Sequence, residues 1–433
     1  MPIEMDSFNE GLMKFLEASP TPFHATNTMS ALLNHAGFIS LNEREAWDLQ
    51  LGNKYYVTRN DSSIVAFTLA ERFQIDDGFR FAAAHTDSPC LKLKPASLSI
   101  TEDYLQFNVE TYGGLLMAPW FDRDLGLAGR VYFQDKEGKL CSDLITIQKP
   151  VATIPSLAIH LDRTANDQKS INPQTDLLPI LGLSSGYERN QYDFNDLLIE
   201  ALRLAGHEVD NVLDHELSLF DLTKPSIIGS QGEFLAAGRL DNLLSCYTGL
   251  MALMNADPDL SCMLICNDHE EVGSQSTSGA QGDLVDKILH RVCPNVEDHA
   301  RLIANSLLVS TDNAHAVHPN FVSKHDKEHR PHINKGVVIK NNANQRYASN
   351  SETQAIFKAI CREYSVPFQY YSHRNDLPCG STLGPMTAAK LGVRTIDVGV
   401  PTLAMHSPRE LAGTTDAFDL YRALTGLFQT QQV

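Results

Sequence analysis

The stretch "CNDHEEVGSQSTSG", residues 266 to 279, sets Glu270 and Glu271 side by side after an apolar run and before a tract of small and polar residues. Other polar clusters close apolar runs in the same way. His85 and Asp87 stand in "AAAHTDSP", Asp312 in "LVSTDNAHA", and His406 in "LAMHSPRE", one short loop beyond "RTIDVGVP". Asp241, in "GRLDNLL", opens a helical pattern. Imidazole nitrogen and carboxylate oxygen suit zinc, which keeps an open position in catalytic sites. Two zinc ions about 3.5–4 Å apart can share a carboxylate and a water, activating the water while polarising a carbonyl. Such a centre needs an outside carboxylate to take the water's proton, and adjacent glutamates offer one group to bind metal and one to stay free. Each residue also has a plainer reading. Glu-Glu serves equally as a solvated acidic turn, Asp241 as a helix N-cap, and a strand-end histidine usually binds nothing.

This chemistry requires distant segments to converge. "FRFAAAHTD", "SCMLICNDHEE", "SLLVSTDNAHA", "KGVVIKNNAN" and "VRTIDVGVP" read as near-continuous hydrophobic strands of a sheet covered on both faces. Helical patterns alternate with them, notably "DNLLSCYTGLMALMNA", "DLVDKILHRV" and "SETQAIFKAICREY", which predicts an α/β sandwich. In such sheets ligands bind beyond the carboxyl ends of the strands, where these clusters lie. Residues 97–226 differ, with short β-like segments, many turns and one helix near 193–205. They read as a β-rich insertion into a catalytic domain formed by 1–96 and 227–433.

Composition narrows the function classes. The 433 residues suffice for two domains and a sizeable core, and no run approaches the apolar length of a membrane helix. A net charge of -18 disfavours nucleic acid and anionic membrane, since phosphate binding depends on clustered Lys and Arg. Eight scattered cysteines without a CxxC pair read as reduced and mostly buried, and the N-terminus reads as an amphipathic helix, so a cytoplasmic location is expected. His325 and His329 in "SKHDKEHRPHIN" have helical ligand spacing, but Pro331 and the surrounding charges favour an exposed loop. His373 near Cys379 raises a Cys-His nucleophile, for which nothing local supplies activation.

Taken together, "HTDSPCLKLKP", "WFDRDLGLAGRV", "GRLDNL", "DHEEVGS", "STDNAHAVHPN", "NANQRYASN", "DLPCGSTLGP" and "VGVPTLAMHSPRE" resemble the aspartyl aminopeptidase family of cocatalytic-zinc metallopeptidases across nearly the whole chain. The resemblance implies two Zn2+ per subunit, with Co2+ or Mn2+ as substitutes. Asp241 would bridge them, His85 and Asp312 would complete one site, and Glu271 and His406 the other. Glu270 would be the general base and Asp87 would orient His85. His160 in "IPSLAIHLDR" matches a histidine that reaches a neighbouring subunit's active site, although by itself it reads as an ordinary strand histidine. Lys340 matches a lysine that receives the substrate's acidic side chain, and "CGSTLGP", with Gly380 and Ser381, would line the substrate pocket or simply form a turn. Two zinc ions against the carboxylates of Asp241, Glu271 and Asp312 leave a surplus of only one positive charge. An acidic preference in so acidic a protein therefore needs a local cation such as Lys340. The family further implies peptides with acidic N-termini as substrates, an inserted dimerisation domain and a tetrahedral dodecamer. A related dinuclear-zinc carboxypeptidase or deacylase, or a catalytically silent assembly protein, are the alternatives.

Overall fold

The computed structural model describes residues 3–168, 170–184 and 193–431. The chain divides into two compact units, one of Met1–Asp87, Pro225–Met405 and Glu410–Val433, the other of Ser88–Lys224 with His406–Arg409.

The first unit is built on a nine-stranded sheet in the order Ile39–Ser40, Lys54–Arg59, Ser63–Thr68, Cys262–Asn267, Arg80–His85, Leu307–Thr311, Arg394–Gly399, Val337–Asn341 and Phe368–Ser372. The four strands from Cys262–Asn267 to Arg394–Gly399 run parallel, so their carboxyl ends open on one edge. Alternation along them sends side chains to two cores. Ala82, Ala84, Leu264, Cys266, Leu307 and Val309 pack with residues of the helices Met5–Ala18, Pro22–His35, Leu240–Met254, Ser351–Glu363 and Asp416–Leu427. Phe81, Ala83, Met263, Ile265 and Leu308 face the helices Leu284–Val292, Val296–Ala304 and Leu383–Leu391. Burial on both faces explains why these strands read as unbroken apolar runs. The predicted α/β sandwich is what forms.

Local signals set the helix starts. Asn350 accepts from the Thr353 amide while the Thr353 hydroxyl accepts from the Asn350 amide, a reciprocal cap. Asn295 accepts from the Asp298 amide in the same role. A smaller five-stranded sheet, in the order Ser226–Ile228, Phe234–Ala237, Glu410–Gly413, Pro401–Leu403 and Ala314–His315, has no counterpart among the predicted elements.

The second unit holds a six-stranded antiparallel sheet in the order Leu140–Ala152, Leu125–Asp135, Val209–Asp221, Cys90–Thr101, Tyr104–Tyr112 and Ile180–Leu183. The helix Phe194–Leu204 buries Phe194, Leu198 and Leu202 in a core with Phe107, Leu127 and Phe133. Its sheet begins before residue 97, because Leu91 and Lys92 already pair with Leu219 and Ser218. All eight cysteines are free thiols. No helix among the described residues is long and apolar enough to cross a membrane.

Gly399 closes the last parallel strand where an added Cβ would overlap the carbonyl of Asp312. Gly399→Ala should therefore lower the unfolding free energy by about 1–3 kcal/mol, the usual penalty of overpacking, as read by urea denaturation.

Candidate metal centre

The strand Arg80–His85 delivers His85 to the open edge of the parallel strands, and Asp87 is fully buried two residues on. His85 Nδ1 lies 3.3 Å from Asp87 Oδ1 and 3.0 Å from the Asp87 carbonyl oxygen. The same carboxylate accepts from two successive backbone amides, Oδ1 from Glu270 and Oδ2 from Glu271, each at 3.1 Å. With Nδ1 committed to Asp87, His85 Nε2 faces Asp241 Oδ1 at 3.5 Å and Asp312 Oδ1 at 3.8 Å. Ligand atoms of His85, Asp241 and Glu271 all lie within 4.8 Å of one another.

Asp241 is no N-cap. Its backbone leaves helical geometry (φ -85°, ψ 101°) at the start of Leu240–Met254, and its amide donates to Glu410 Oε2 at 3.0 Å. The next residue, Asn242, donates from Nδ2 to the Thr311 carbonyl at 2.8 Å, tying this turn to the strand that ends before Asp312. Glu410 and Asn242 were not among the residues singled out from sequence. Both are buried positioning groups whose partners lie far away in the chain.

The electrostatics call for a cation. Burial opposes charge on His85, yet hydrogen bonds to Asp241, Asp312 and Asp87, with the nearby Glu270, raise its pKa well above the ordinary value. Burial pushes Glu270 up to about 8; His85 opposes the rise, and the charges of Asp312, Asp87 and Asp241 add to it. Lys340, buried at the end of Val337–Asn341, places Nζ 3.5 Å from Asp312 Oδ2 and 5.4 Å from the centre of the Tyr347 ring. One imidazole among convergent carboxylates is a donor set that zinc accepts, and its excess negative charge is what a divalent ion would neutralise.

Comparison with known proteins agrees with this chemistry. The family description "Aminopeptidase I zinc metalloprotease (M18)" matches residues 15–428. The chain belongs to the peptidase M18 family. It is thus a zinc aminopeptidase by family. A "Probable M18 family aminopeptidase 2" of Pseudomonas entomophila (strain L48) is 53% identical over 429 residues, covering 99% of each chain. The solved structure of the Ape4 and Nbr1 complex contains a chain 37% identical, with a TM-score of 0.95, covering 98% of this chain and 86% of that one. The S. cerevisiae mApe1 dodecamer aligns with a TM-score of 0.83 at 28% identity, covering 97% and 96%.

The remaining positions singled out from sequence are placed as follows. His406, grouped with the second unit, has Nδ1 2.9 Å from the Gly114 carbonyl. His160 is exposed in a turn, where the Leu161 amide bonds the Ala158 carbonyl, and is not a strand histidine. Gly380 has open space where a Cβ would stand, so packing does not demand glycine there, and Ser381 Oγ donates to the Arg346 carbonyl at 3.2 Å. His329 lies in a loop with Nδ1 2.7 Å from Asp326 Oδ1, and the spacing of His325 and His329 is not realised on a helix. His373 Nδ1 pairs with the Tyr371 hydroxyl at 2.5 Å. Another His/Asp group among the described residues, Asp286, His290 and His299, also brings its ligand atoms close. Its imidazoles stack 4.0 Å apart at 10°, so their in-plane lone pairs run side by side instead of converging.

In metal-free protein, both raised pKa values act in one direction. Glu270 and His85 each hold a proton more tightly folded than unfolded, so stability falls as pH rises from about 5 towards 9. Thermal unfolding of chelated protein should show this decline, and Glu270→Gln should make it shallower.

Proposed function

We propose that this chain removes N-terminal residues from peptides, preferentially Asp and Glu, at a dinuclear zinc centre built around His85. The observation that carries the reading is the clustering of His85, Asp241 and Glu271 with the separate carboxylate of Glu270 beside them. His85, Asp241 and Asp312 would hold one ion, with Asp241 and Glu271 offering oxygens to a second; His406 as a further ligand rests on motif likeness. Bound zinc would supply Lewis acidity, polarising the scissile carbonyl and acidifying a water.

The chain's own groups do the rest. Asp87 keeps the proton of His85 on Nδ1 and leaves Nε2 as the donor. Glu270 takes the proton of the attacking water and returns it to the departing amine nitrogen. Lys340 receives the carboxylate of an N-terminal Asp or Glu side chain, and burial protects its charge from screening. His160, exposed in its turn, is available to a neighbouring subunit, where it would stabilise the oxyanion. That role requires a homo-oligomer, proposed as a tetrahedral dodecamer; the relative mApe1 was solved as a dodecamer.

Turnover of Asp-, Glu- and Leu-terminated peptides should be measured for wild type, Glu270→Gln and Lys340→Ala, each with its zinc content. Chelation should abolish activity and zinc restore it. Glu270→Gln should keep its metal and lose at least about a hundredfold in kcat. Lys340→Ala should lose far more activity on Asp- and Glu-peptides than on Leu-peptides. A metal-loaded, fully active Gln variant would overturn the base assignment, and equal losses on all peptides would overturn the role of Lys340.

A further inference from the structure

We infer that Asp397 is a positioning residue that ties together two loops next to Lys340, and through them sets substrate affinity without holding metal. The inference rests on the reading of Lys340 as the receiver of the substrate side chain.

Asp397 lies in the strand Arg394–Gly399, opposite Ser310 and fully buried. A carboxylate there is costly unless donors satisfy it. Two loops supply them. Ala348 N–H donates to Oδ2 at 2.6 Å, and Thr382 Oγ1 donates to Oδ1 at 2.8 Å. The backbone joins in, with Asp397 N–H donating to Ser349 Oγ at 3.0 Å. Gly384 completes the cradle, because a Cβ at that position would collide with the Asp397 carboxylate. Burial raises the pKa of Asp397, and its hydrogen-bond donors and the charge of Lys340 oppose that rise.

The loops held in this way meet at Tyr347, beside Lys340. The loop 342–350 carries Tyr347, whose ring lies 5.4 Å from Lys340 Nζ. The loop 378–382 carries Cys379, packed against the cluster of Tyr347 and Tyr371, and its Ser381 hydroxyl bonds back to the Arg346 carbonyl at 3.2 Å. Each loop thus contacts the other and also contacts Asp397. Losing the buried contact would let both loops move while leaving His85, Asp241, Glu271 and Asp312 in place. The motif "DLPCGSTLGP" gains a physical meaning: Thr382 and Gly384 are the residues that fit Asp397, whereas Gly380 faces open space.

The test compares Thr382→Val, which removes one donor at nearly constant volume, with Thr382→Ser, which restores the hydroxyl, and with Asp397→Asn. Thr382→Val and Asp397→Asn should raise KM for an Asp-terminated peptide about tenfold, the loss expected for a hydrogen bond to a charged group, with kcat within about threefold. Zinc content should equal wild type, and Thr382→Ser should behave as wild type. Hydrogen exchange should quicken at the amides of Ala348 and of residues 380–384, a readout that needs no turnover. Unchanged KM and exchange in Thr382→Val would overturn the proposal, as would a fall in zinc content with kcat dropping in parallel. Wild-type enzyme that treats Asp- and Leu-peptides alike would sink the reading of Lys340 only, since KM and exchange still report the loops.

Discussion

The carboxylate of Asp87 couples two things that a hydrolytic metal site must hold in fixed relation, the imidazole ligand and the turn that carries the base. One oxygen faces His85 Nδ1 and also accepts from the Glu270 amide, while the other accepts from the Glu271 amide. A charge buried this completely would be prohibitive without such partners, and the partners are what the site needs to position. Fixing both glutamate backbones leaves their side chains free to differ, Glu271 toward the ligand cluster and Glu270 beside it. Adjacent carboxylates can then divide ligand and proton-transfer duties across a single peptide bond.

Sheet register prepares this coupling. Asn267 pairs with His85 in parallel, so the two chains leave the sheet together and the turn after Asn267 arrives beside Asp87. Leu307–Thr311 pairs on the other side of Arg80–His85, which brings Asp312 to the same edge. Glu410, from a second sheet, then holds the amide of Asp241. Apolar packing on two faces fixes strand position, and a few buried polar contacts convert that position into ligand geometry.

Much of this was legible in sequence, for identifiable reasons. Strands buried on both faces leave continuous apolar runs, and polar residues at their carboxyl ends stand out against them, as His85, Glu270, Glu271 and Asp312 do. The supporting contacts were not legible, because they join residues with no local pattern in common: Asp241 with Glu410 is separated by 169 positions and Asp87 with Glu270 by 183. The five-stranded sheet was missed because strands as short as Ala314–His315 and Pro401–Leu403 cannot display alternation. Asp241 opens a helical pattern in sequence, but the kink at Asp241 and Asn242 and the contact to Glu410 could not be read there. Asp397 could have been suspected as a lone carboxylate inside the apolar run "RTIDVGV", but nothing nearby named Ala348 or Thr382 as its partners.

The most direct test of the coupling is zinc affinity and peptide turnover in Asp87→Asn, measured on the same preparation. Asparagine keeps the shape but turns one acceptor into a donor facing a backbone N–H. Zinc affinity should fall about 10–100-fold, as for other groups that orient a ligand histidine, and turnover at saturating zinc should also fall because the Glu270 turn loses its anchor. Wild-type zinc affinity together with wild-type turnover in a folded Asp87→Asn protein would contradict the dependence of the site on this carboxylate.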